Sequence, residues 1–281
     1  MYCAVCQHYD TTLCAEMQRL SNNFRPEFTD EECITITIFG IAEGKFEFKA
    51  IYQFIKDYWA GWFPKLPSYQ KFNKRINMLA PAFRTLCALL VSQREIDETL
   101  SLNLLDSMPI IVANSKRSGS AKAAKDLCDK GYCASKGMYY YGMKLHALGQ
   151  KRSAALPQIT MLNLTPASEN DLTVAKDWLA YVHNLFIFAD KAYADQVWAK
   201  ELALRGVELI TPVKKKKGQL FLDAADELYS SAVSRVRQAI ESLFNWIQLK
   251  THIQSASKVR STNGLLAFIF ARLAMLAFFY W

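Results

Sequence analysis

Three acidic residues occupy positions in the sequence where carboxylates can serve metal-dependent chemistry. Asp106 ends the first predicted strand, "LSLNLLD", Asp190 ends the apolar run "LFIFAD", and Glu241 lies on a helix within "RVRQAIESLFNWIQ". Carboxylates within contact distance repel one another unless a cation compensates their charge. Magnesium accepts oxygen ligands, and two such ions can activate an attacking oxygen and stabilise a leaving oxygen in phosphoryl displacement. The acids therefore predict a two-metal phosphodiester site with Mg²⁺, for which Mn²⁺ can substitute, if the fold brings them together.

Each acid also has an ordinary structural alternative. Asp190 would cap the helix that follows it, and Asp106 would begin a turn through Ser107 to Pro109. Glu241 follows Arg237 by four residues on a helix, which predicts a surface ion pair of a few tenths of a kcal/mol. Only the joint placement of the three acids in one fold favours catalysis.

Positive charge is abundant and clustered along the chain. Lys and Arg total 34 against 26 Asp and Glu, which gives a net charge of +8 at pH 7. Clustered positive charge favours a polyanion such as DNA as the partner, and a solvated charged face is the alternative for each cluster. The residues predicted to contact DNA are Lys71, Lys74, Arg75, Lys116, Arg117, Lys122, Lys125, Lys214, Lys215, Lys216, Lys217 and Lys250.

After residue 100 the sequence alternates between strand and helix patterns. The runs "MYYYGMKLHALG", "LPQITMLNLTP", "LFIFAD" and "VELIT" predict strands. Helices are predicted over "SENDLTVAKDWLAYVHN" with Ser168 as the cap, over "YADQVWAKELALRG", and over the segment that carries Glu241. Three strands followed by alternating helix and strand predict an α/β protein with a mixed sheet flanked by helices, which is the order of the RNase H-like fold.

The first 98 residues predict an all-helical region. Thr29 begins the capping-box pattern "TDEE", and Ser68 after Pro67 is a candidate cap for the helix that carries the first basic cluster. Such a helix would grip a DNA backbone in the manner of a helix-turn-helix. The predicted organisation is a helical DNA-end-binding region over 1–98 and an RNase H-like catalytic domain over 99–281.

Between residues 115 and 137, small residues, glycines and lysines predict a mobile segment that becomes ordered on nucleic acid.

The C-terminal run "GLLAFIFARLAMLAFFYW" has about the length of a membrane span, but Arg272 lies at its middle. We expect a buried helix that closes a core, with Arg272 reaching out or pairing, and no membrane attachment. Seven cysteines without framework spacing, and no signal segment at the start, predict free thiols in the cytoplasm. The cluster "CAVCQHYDTTLC" lacks the ligand spacing of a zinc site.

The sequence resembles the bacterial insertion-sequence transposases that carry an Asp-Asp-Glu triad on an RNase H-like fold. The resemblance covers most of the chain from about residue 100, through "LLDSMPI", "YYYGMKLH", "LTPASENDL", "ADKAY" and "RQAIE". Any one motif alone would be weak, whereas five in order are specific. The third motif of the family is Tyr-x2-Arg-x3-Glu-x6-Lys, and this chain has Ser234 and Gln248 where the tyrosine and the lysine stand.

The resemblance implies a reaction on double-stranded DNA by a protein that self-associates on it. Asp106, Asp190 and Glu241 would hold two divalent ions. Water would attack the phosphodiester at the element end, and the freed 3′-hydroxyl would attack target DNA. Arg237 would orient Glu241 or touch a phosphate. Lys144 and His146 are expected at the rim of the site, near the DNA, with a solvent-facing strand edge as the alternative. Tyr193, within "ADKAY", is expected as a further auxiliary residue of the site.

Two rival functions remain open at the level of the sequence. The missing tyrosine and lysine favour a transposase-derived DNA-binding protein that is no longer catalytic. A metal-dependent nuclease on the same fold would cut DNA without joining strands. A transposase would nick element-end DNA in magnesium, whereas the first rival would not. A transposase would also join strands, whereas the second rival would only cut them.

Overall fold

The chain folds into an all-helical N-terminal region followed by a mixed β-sheet flanked by helices. The structure is a computed structural model and describes residues 1–17, 26–93 and 102–280. The N-terminal region contains α1 (Tyr2–His8), a π-helical segment (Tyr9–Leu13), α2 (Cys14–Glu16), α3 (Asp30–Ala42), α4 (Phe48–Tyr58), α5 (Tyr69–Met78) and α6 (Ala80–Ser92). The elements that follow are β1 (Leu102–Asn114), β2 (Asp129–Cys133), β3 (Met138–Gln150), β4 (Gln158–Pro166), α7 (Asp171–Trp178), β5 (Phe186–Ala189), α8 (Gln196–Ala203), β6 (Glu208–Ile210), α9 (Ala224–Thr251) and α10 (Thr262–Phe279).

Two compact units divide the chain. The helical unit comprises Met1–Arg94, Lys122–Asp126 and Ile247–Trp281, and the sheet unit comprises Glu95–Ala121 and Leu127–Trp246. The boundary expected between residues 98 and 99 lies outside the described residues, so the assignment of 1–98 to DNA-end binding and of 99–281 to catalysis stays a prediction. At the C-terminal end the units differ from that division, because the apolar helix α10 packs against α3, α5 and α6.

Helix α10 forms the core of the helical unit. Leu265, Ile269, Leu273 and Leu276 are fully buried along it. Among the described residues it is the one helix with the length and composition of a membrane span, with 18 residues and a mean hydropathy of 1.7, and 67% of it is buried inside the protein. The predicted buried helix is confirmed. Arg272 does not reach out, because it is buried and donates to backbone carbonyls, and no acid within the described ranges forms an ion pair with it.

The capping signals of the helical region are only partly used. The Glu32 carboxylate accepts from the Thr29 N–H at 2.7 Å, and the Glu32 N–H donates to the Thr29 hydroxyl at 3.2 Å, so the predicted capping box is confirmed. Ser68 stands at the predicted start of α5, but its hydroxyl makes no capping hydrogen bond.

The sheet has the strand arrangement of an RNase H-like fold, which confirms the predicted fold class. Within the described residues six strands pair in the order β2-β3-β1-β5-β6, and β4 also pairs with β3. The pairs among β1, β2, β3 and β4 are antiparallel, whereas β1 with β5 and β5 with β6 are parallel. Strand β2 was not predicted, since its segment is rich in lysine and glycine and was expected to be mobile. It pairs with the first half of β3, and β4 pairs with the second half.

Helices cover both faces of this sheet. Leu105, Ile187 and Ala189 pack in one cluster with Leu179 of α7 and Trp198 of α8. Because successive strand residues point to opposite faces, Asp106 lies on the face opposite Leu105. Helix α9 lies on that second face, as its Arg237 contacts Asp106.

The first strand is longer than its sequence pattern predicts. Asp106 does not end it, and the turn expected from Ser107 to Pro109 is absent, because β1 continues to Asn114 and these residues pair with β3. The parallel pairing of β1 with β5 does stop at Leu105 opposite Ala189. Asp106 and Asp190 therefore each follow the last residue pair of the β1–β5 ladder.

At α7 the cap is Asn170 rather than the predicted Ser168, since the Asn170 side chain accepts from two backbone N–H groups.

Gly142 on β3 allows this strand to approach β1 closely. A Cβ atom at Gly142 would lie 2.0 Å from the carbonyl oxygen of Ile110. We expect Gly142→Ala to lower the free energy of unfolding by about 1–3 kcal/mol, because β1 and β3 would have to separate. Urea unfolding measures this difference. Gly119→Ala is the matched control, since nothing lies within 4 Å of its Cβ position. Equal stability of the two variants would contradict the expected close approach.

Candidate active site

The three acids converge on one side chain, the guanidinium of Arg237. Its Nη2 lies 3.1 Å from Asp106 Oδ2, and its Nη1 lies 3.6 Å from Asp190 Oδ1 and 3.9 Å from Glu241 Oε1. Arg237 donates a hydrogen bond to Asp106 across 131 positions of sequence. The fold thus brings together the three acids that were singled out in the sequence.

Backbone N–H groups fix the two aspartates. Asp106 Oδ1 accepts from the N–H of Ser107 at 2.8 Å. Asp190 Oδ1 accepts from the N–H of Lys191 at 2.7 Å and caps the 3-10 turn Lys191–Tyr193. The capping role considered for Asp190 is therefore present, and it leaves the second carboxylate oxygen for other partners.

On helix α9 the buried member of the pair is the arginine rather than the acid. The Arg237 side chain is 9% exposed, whereas the Glu241 side chain is 60% exposed. Val233, Ile240 and Ile247 are buried on the same helix. The surface ion pair predicted from the four-residue spacing is thus incorrect for Arg237, because the aspartates beside β5 and within β1 draw it into the protein.

Burial and the neighbouring acids control the protonation of Asp106. The pKa of its carboxyl is raised to about 6, chiefly by burial and in smaller part by the carboxylates of Asp190 and Glu241. The Arg237 guanidinium and the Ser107 N–H act in the opposite direction on this pKa. The pKa remains raised because the effect of burial is the largest of these influences.

Among the residues expected at the rim, Lys144 holds a second acid. Its ammonium donates to the Glu169 carbonyl at 2.7 Å and to Asp171 Oδ1 at 2.9 Å, and its side chain is 14% exposed. Asp171 was missed as a member of this region. Its position at the start of α7 suggested only the first turn of a helix, and the lysine that it contacts is distant in sequence.

His146 and Tyr193 are buried, so neither lies on an exposed rim. His146 Nε2 lies 2.8 Å from the Thr165 hydroxyl, and burial lowers the pKa of the imidazole to about 4. Burial raises the pKa of the Tyr193 phenol well above its ordinary value, and the carboxylates of Asp171 and Asp106 act in the same direction. The structure thus gives both side chains a buried position, and their auxiliary role stays a prediction.

The donor set fits a hard divalent cation in its chemistry. Three carboxylates surround one positive group, and carboxylate oxygens are the ligands that magnesium prefers. In the described part of the chain, no three His, Cys, Asp or Glu side chains lie close enough together to share one metal ion. In this structure the guanidinium of Arg237 supplies the positive charge among the three acids.

The basic residues predicted to contact DNA fall into two groups by exposure. Arg75 is engaged within the protein, because its guanidinium bonds the Phe28 carbonyl and lies 3.3 Å from Asp30. Lys250 is exposed and lies over the Tyr280 ring at 5.3 Å, in the helical unit. The remaining members are all exposed: Lys71, Lys74, Lys116, Arg117, Lys122, Lys125, Lys214, Lys215, Lys216 and Lys217.

Two of the four lysines after Val213 are already bonded to the protein. Lys214 donates to the Ala194 carbonyl at 2.9 Å, and Lys215 donates to the Leu220 carbonyl at 2.7 Å.

Two residues depart from the third family motif. Ser234, at the tyrosine position, is exposed, and the Gln248 side chain, at the lysine position, accepts from the Gln254 N–H at 2.9 Å. The residue at the lysine position of the motif thus serves local structure.

In metal-free buffer we expect Asp106 to make stability depend on pH. Its carboxyl binds a proton more tightly in the folded than in the unfolded chain, so its contribution to stability falls as the pH rises from about 4 to about 6. The rise in pKa from 3.8 to about 6 corresponds to at most about 3 kcal/mol at neutral pH.

Asp106→Asn removes this titration, so the stability of the variant relative to the natural chain should increase between pH 4 and pH 7. Urea unfolding in EDTA at several pH values measures the difference. Asp177→Asn, at an exposed position on α7, is the control. A pH-independent difference between Asp106→Asn and the natural chain would contradict the raised pKa.

Comparison with known protein families identifies the family to which the chain belongs. A family described as transposase DDE domain matches residues 96–262, which is more than half of the chain and includes Asp106, Asp190 and Glu241. Comparison with curated proteins and with solved structures gives no match. Domains of this family act on DNA and generally use divalent metal ions. The chain therefore belongs to the DDE-type transposases.

Proposed function

We propose that this transposase cuts double-stranded DNA at the ends of an insertion sequence and joins the freed ends to target DNA. The observation that carries the proposal is the convergence of Asp106, Asp190 and Glu241 around one cation. The family supports the transposase class, and the carboxylate cluster supports metal-dependent phosphodiester chemistry.

Asp106, Asp190 and Glu241 would hold the divalent ions, which we propose to be Mg²⁺ with Mn²⁺ as a substitute. When bound, the ions supply charge stabilisation to the phosphodiester and make water a better nucleophile at neutral pH. Because the pKa of Asp106 is raised only to about 6, its carboxylate is ionised at neutral pH and available as a ligand. The N–H groups of Ser107 and Lys191 hold the two aspartates in place.

Arg237 is a positioning residue in this proposal. Its buried guanidinium draws the three carboxylates to one point and compensates part of their charge.

The proposed chemistry has two steps. In the first reaction, the water oxygen bonds to phosphorus and the bond to the 3′ oxygen breaks, which leaves a 3′-hydroxyl and a 5′-phosphate. In the second reaction, that hydroxyl bonds to a target phosphorus and displaces a target 3′ oxygen.

The proposed partner is DNA at the element ends and at the target, with self-association of the protein on it. The region 1–98 would contact the element end through Lys71 and Lys74, both of which are exposed. Exposed lysines 214–217 would contact backbone phosphates near the acids. We propose that the protein works in the cytoplasm without membrane attachment, which the burial of α10 supports.

A catalytically inactive DNA-binding protein is the second candidate. Two observations favour it, namely the guanidinium that already lies among the three acids and the absence of the family's tyrosine and lysine at Ser234 and Gln248. Such a protein would bind the element ends and would leave them intact in Mg²⁺ and in Mn²⁺.

Changing Asp190 to its amide tests the catalytic proposal. We expect Asp190→Asn to abolish strand cleavage of element-end DNA in Mg²⁺, because a metal ligand is lost, and to leave DNA binding within about twofold, because the basic surface is unchanged. Gel analysis of cleavage products and fluorescence anisotropy measure the two activities. Asp177→Asn should cleave normally. Cleavage by Asp190→Asn would refute the ligand assignment, and no cleavage by the natural chain would favour the DNA-binding protein.

Salt dependence tests the proposed contact of the 214–217 loop with DNA. In Lys216→Gln/Lys217→Gln, the plot of log affinity against log salt should become shallower by about two, because two phosphate contacts are lost. Lys56→Gln/Lys200→Gln removes the same charge from exposed positions on α4 and α8 and should leave the slope closer to that of the natural chain. Equal slopes for the two double variants would exclude a specific role for the loop.

A further inference from the structure

A cavity of about 480 Å³ lies within the helical unit, away from the three acids in the sequence. It is bounded by the start of α4, by one face of α5, by the start of α10 and by the segment that joins α9 to α10. On α5 the lining residues are Tyr69, Asn73 and Asn77, which are four apart and therefore share one side of the helix. The cavity is large enough to hold a phosphate group together with part of the molecule that carries it.

The lining of this cavity is strongly biased towards groups that bind anions. Four basic side chains, those of Lys49, Lys258, Arg260 and Arg272, line it, and Glu47 is the one acid among the lining residues. Glu47 forms an ion pair with Lys258 and compensates only part of this charge. Neutral groups that can donate hydrogen bonds also line the cavity: Asn73, Asn77, Ser255, Ser257 and Ser261.

Arg272 is the buried cation of this lining, with 1% of its surface exposed. Its Nε and Nη1 donate to the carbonyls of Thr251 and Phe268, each at 2.9 Å, and its Nη2 donates to the carbonyl of Phe46. These three acceptors are neutral, and in the described part of the chain no carboxylate forms an ion pair with Arg272. A guanidinium has five N–H groups, so these bonds use three of them. A buried charge of this kind is stabilised by an anion beside it.

Aromatic side chains hold the walls around Arg272. Phe46 and His252 stack with their ring centroids 4.0 Å apart, and the guanidinium of Arg272 lies 3.4 Å from the centroid of Phe268. These contacts explain how Arg272 is fixed. They do not explain why Lys49, Lys258 and Arg260 line the same cavity, since a structural clamp needs only the buried arginine.

We propose that this cavity binds a phosphate group, either a phosphodiester of a DNA strand or a free phosphate. Lys49, Lys258 and Arg260 attract the anion at the rim, and Arg272 provides the charge at the base of the cavity. The site is separate from the three carboxylates and does not depend on the proposed cleavage reaction. Among the residues predicted to bind DNA from the sequence, none lines this cavity.

The test uses the full chain in EDTA, so that cleavage plays no part. The double variant Lys49→Gln/Lys258→Gln removes two charges at the rim, Lys49→Arg/Lys258→Arg retains them, and Lys56→Gln is the control at an exposed position on the same helix as Lys49. Binding of a short labelled DNA duplex is measured by anisotropy across a salt series. Thermal unfolding is measured in sodium phosphate and in sodium chloride of equal ionic strength.

If the site takes the DNA backbone, the slope of log affinity against log salt becomes shallower by about two in the glutamine double variant only. If it takes free phosphate, the phosphate-specific rise in the unfolding temperature disappears in that variant while the DNA slope stays unchanged. The arginine variant should behave like the natural chain in both assays. Identical behaviour of the glutamine double variant and Lys56→Gln in both assays would overturn the proposal. Neither result bears on Asp190→Asn, whose cleavage is scored separately.

Discussion

The arrangement of the acidic site depends on one buried positive charge. Asp106 and Asp190 follow the last residue pair of the β1–β5 ladder, and Glu241 lies on α9. Their carboxylates would repel one another, and Arg237 lies within 4 Å of all three. The acids in turn compensate the charge of the buried guanidinium, so the two kinds of group stabilise each other. The guanidinium lowers the pKa of Asp106, but this pKa is still raised, chiefly by burial. With three carboxylates beside one guanidinium, the charge of the site is only partly compensated.

The sequence predicts the elements with strong local patterns and misses features that arise from distant pairing. The capping box at Thr29 and the apolar run of β5 are found where expected, because their signals lie within a few residues. Strand β2 was missed, since a segment of lysine and glycine has low strand propensity and is ordered only by pairing with β3. The extension of β1 through Pro109 was also missed. Beyond Leu105 β1 no longer pairs with β5, and proline is tolerated at such an edge.

Within the site, the identity of the three acids was predicted, whereas the burial of their neighbours was not. Arg237 precedes Glu241 by four residues, which predicts a solvated pair unless other acids approach from elsewhere in the fold. Similarly, the alternation around Lys144 and His146 indicates a polar strand face, but it does not reveal that α7 brings Asp171 against Lys144. His146 is buried against Thr165 of the neighbouring strand, a contact that depends on the register of β3 with β4. Such contacts require the tertiary structure.

The short parallel ladder between β1 and β5 also has a consequence in time. Four residue pairs join segments that are more than eighty residues apart in the sequence, and the third acid lies later still, on α9. Pairing between such distant segments is slow compared with the formation of local helices. A nascent chain that has emerged from the ribosome only as far as Asp190, directly after β5, contains the two aspartates but lacks Glu241. The order of the acids along the chain therefore delays assembly of the complete cluster until α9 has been synthesised.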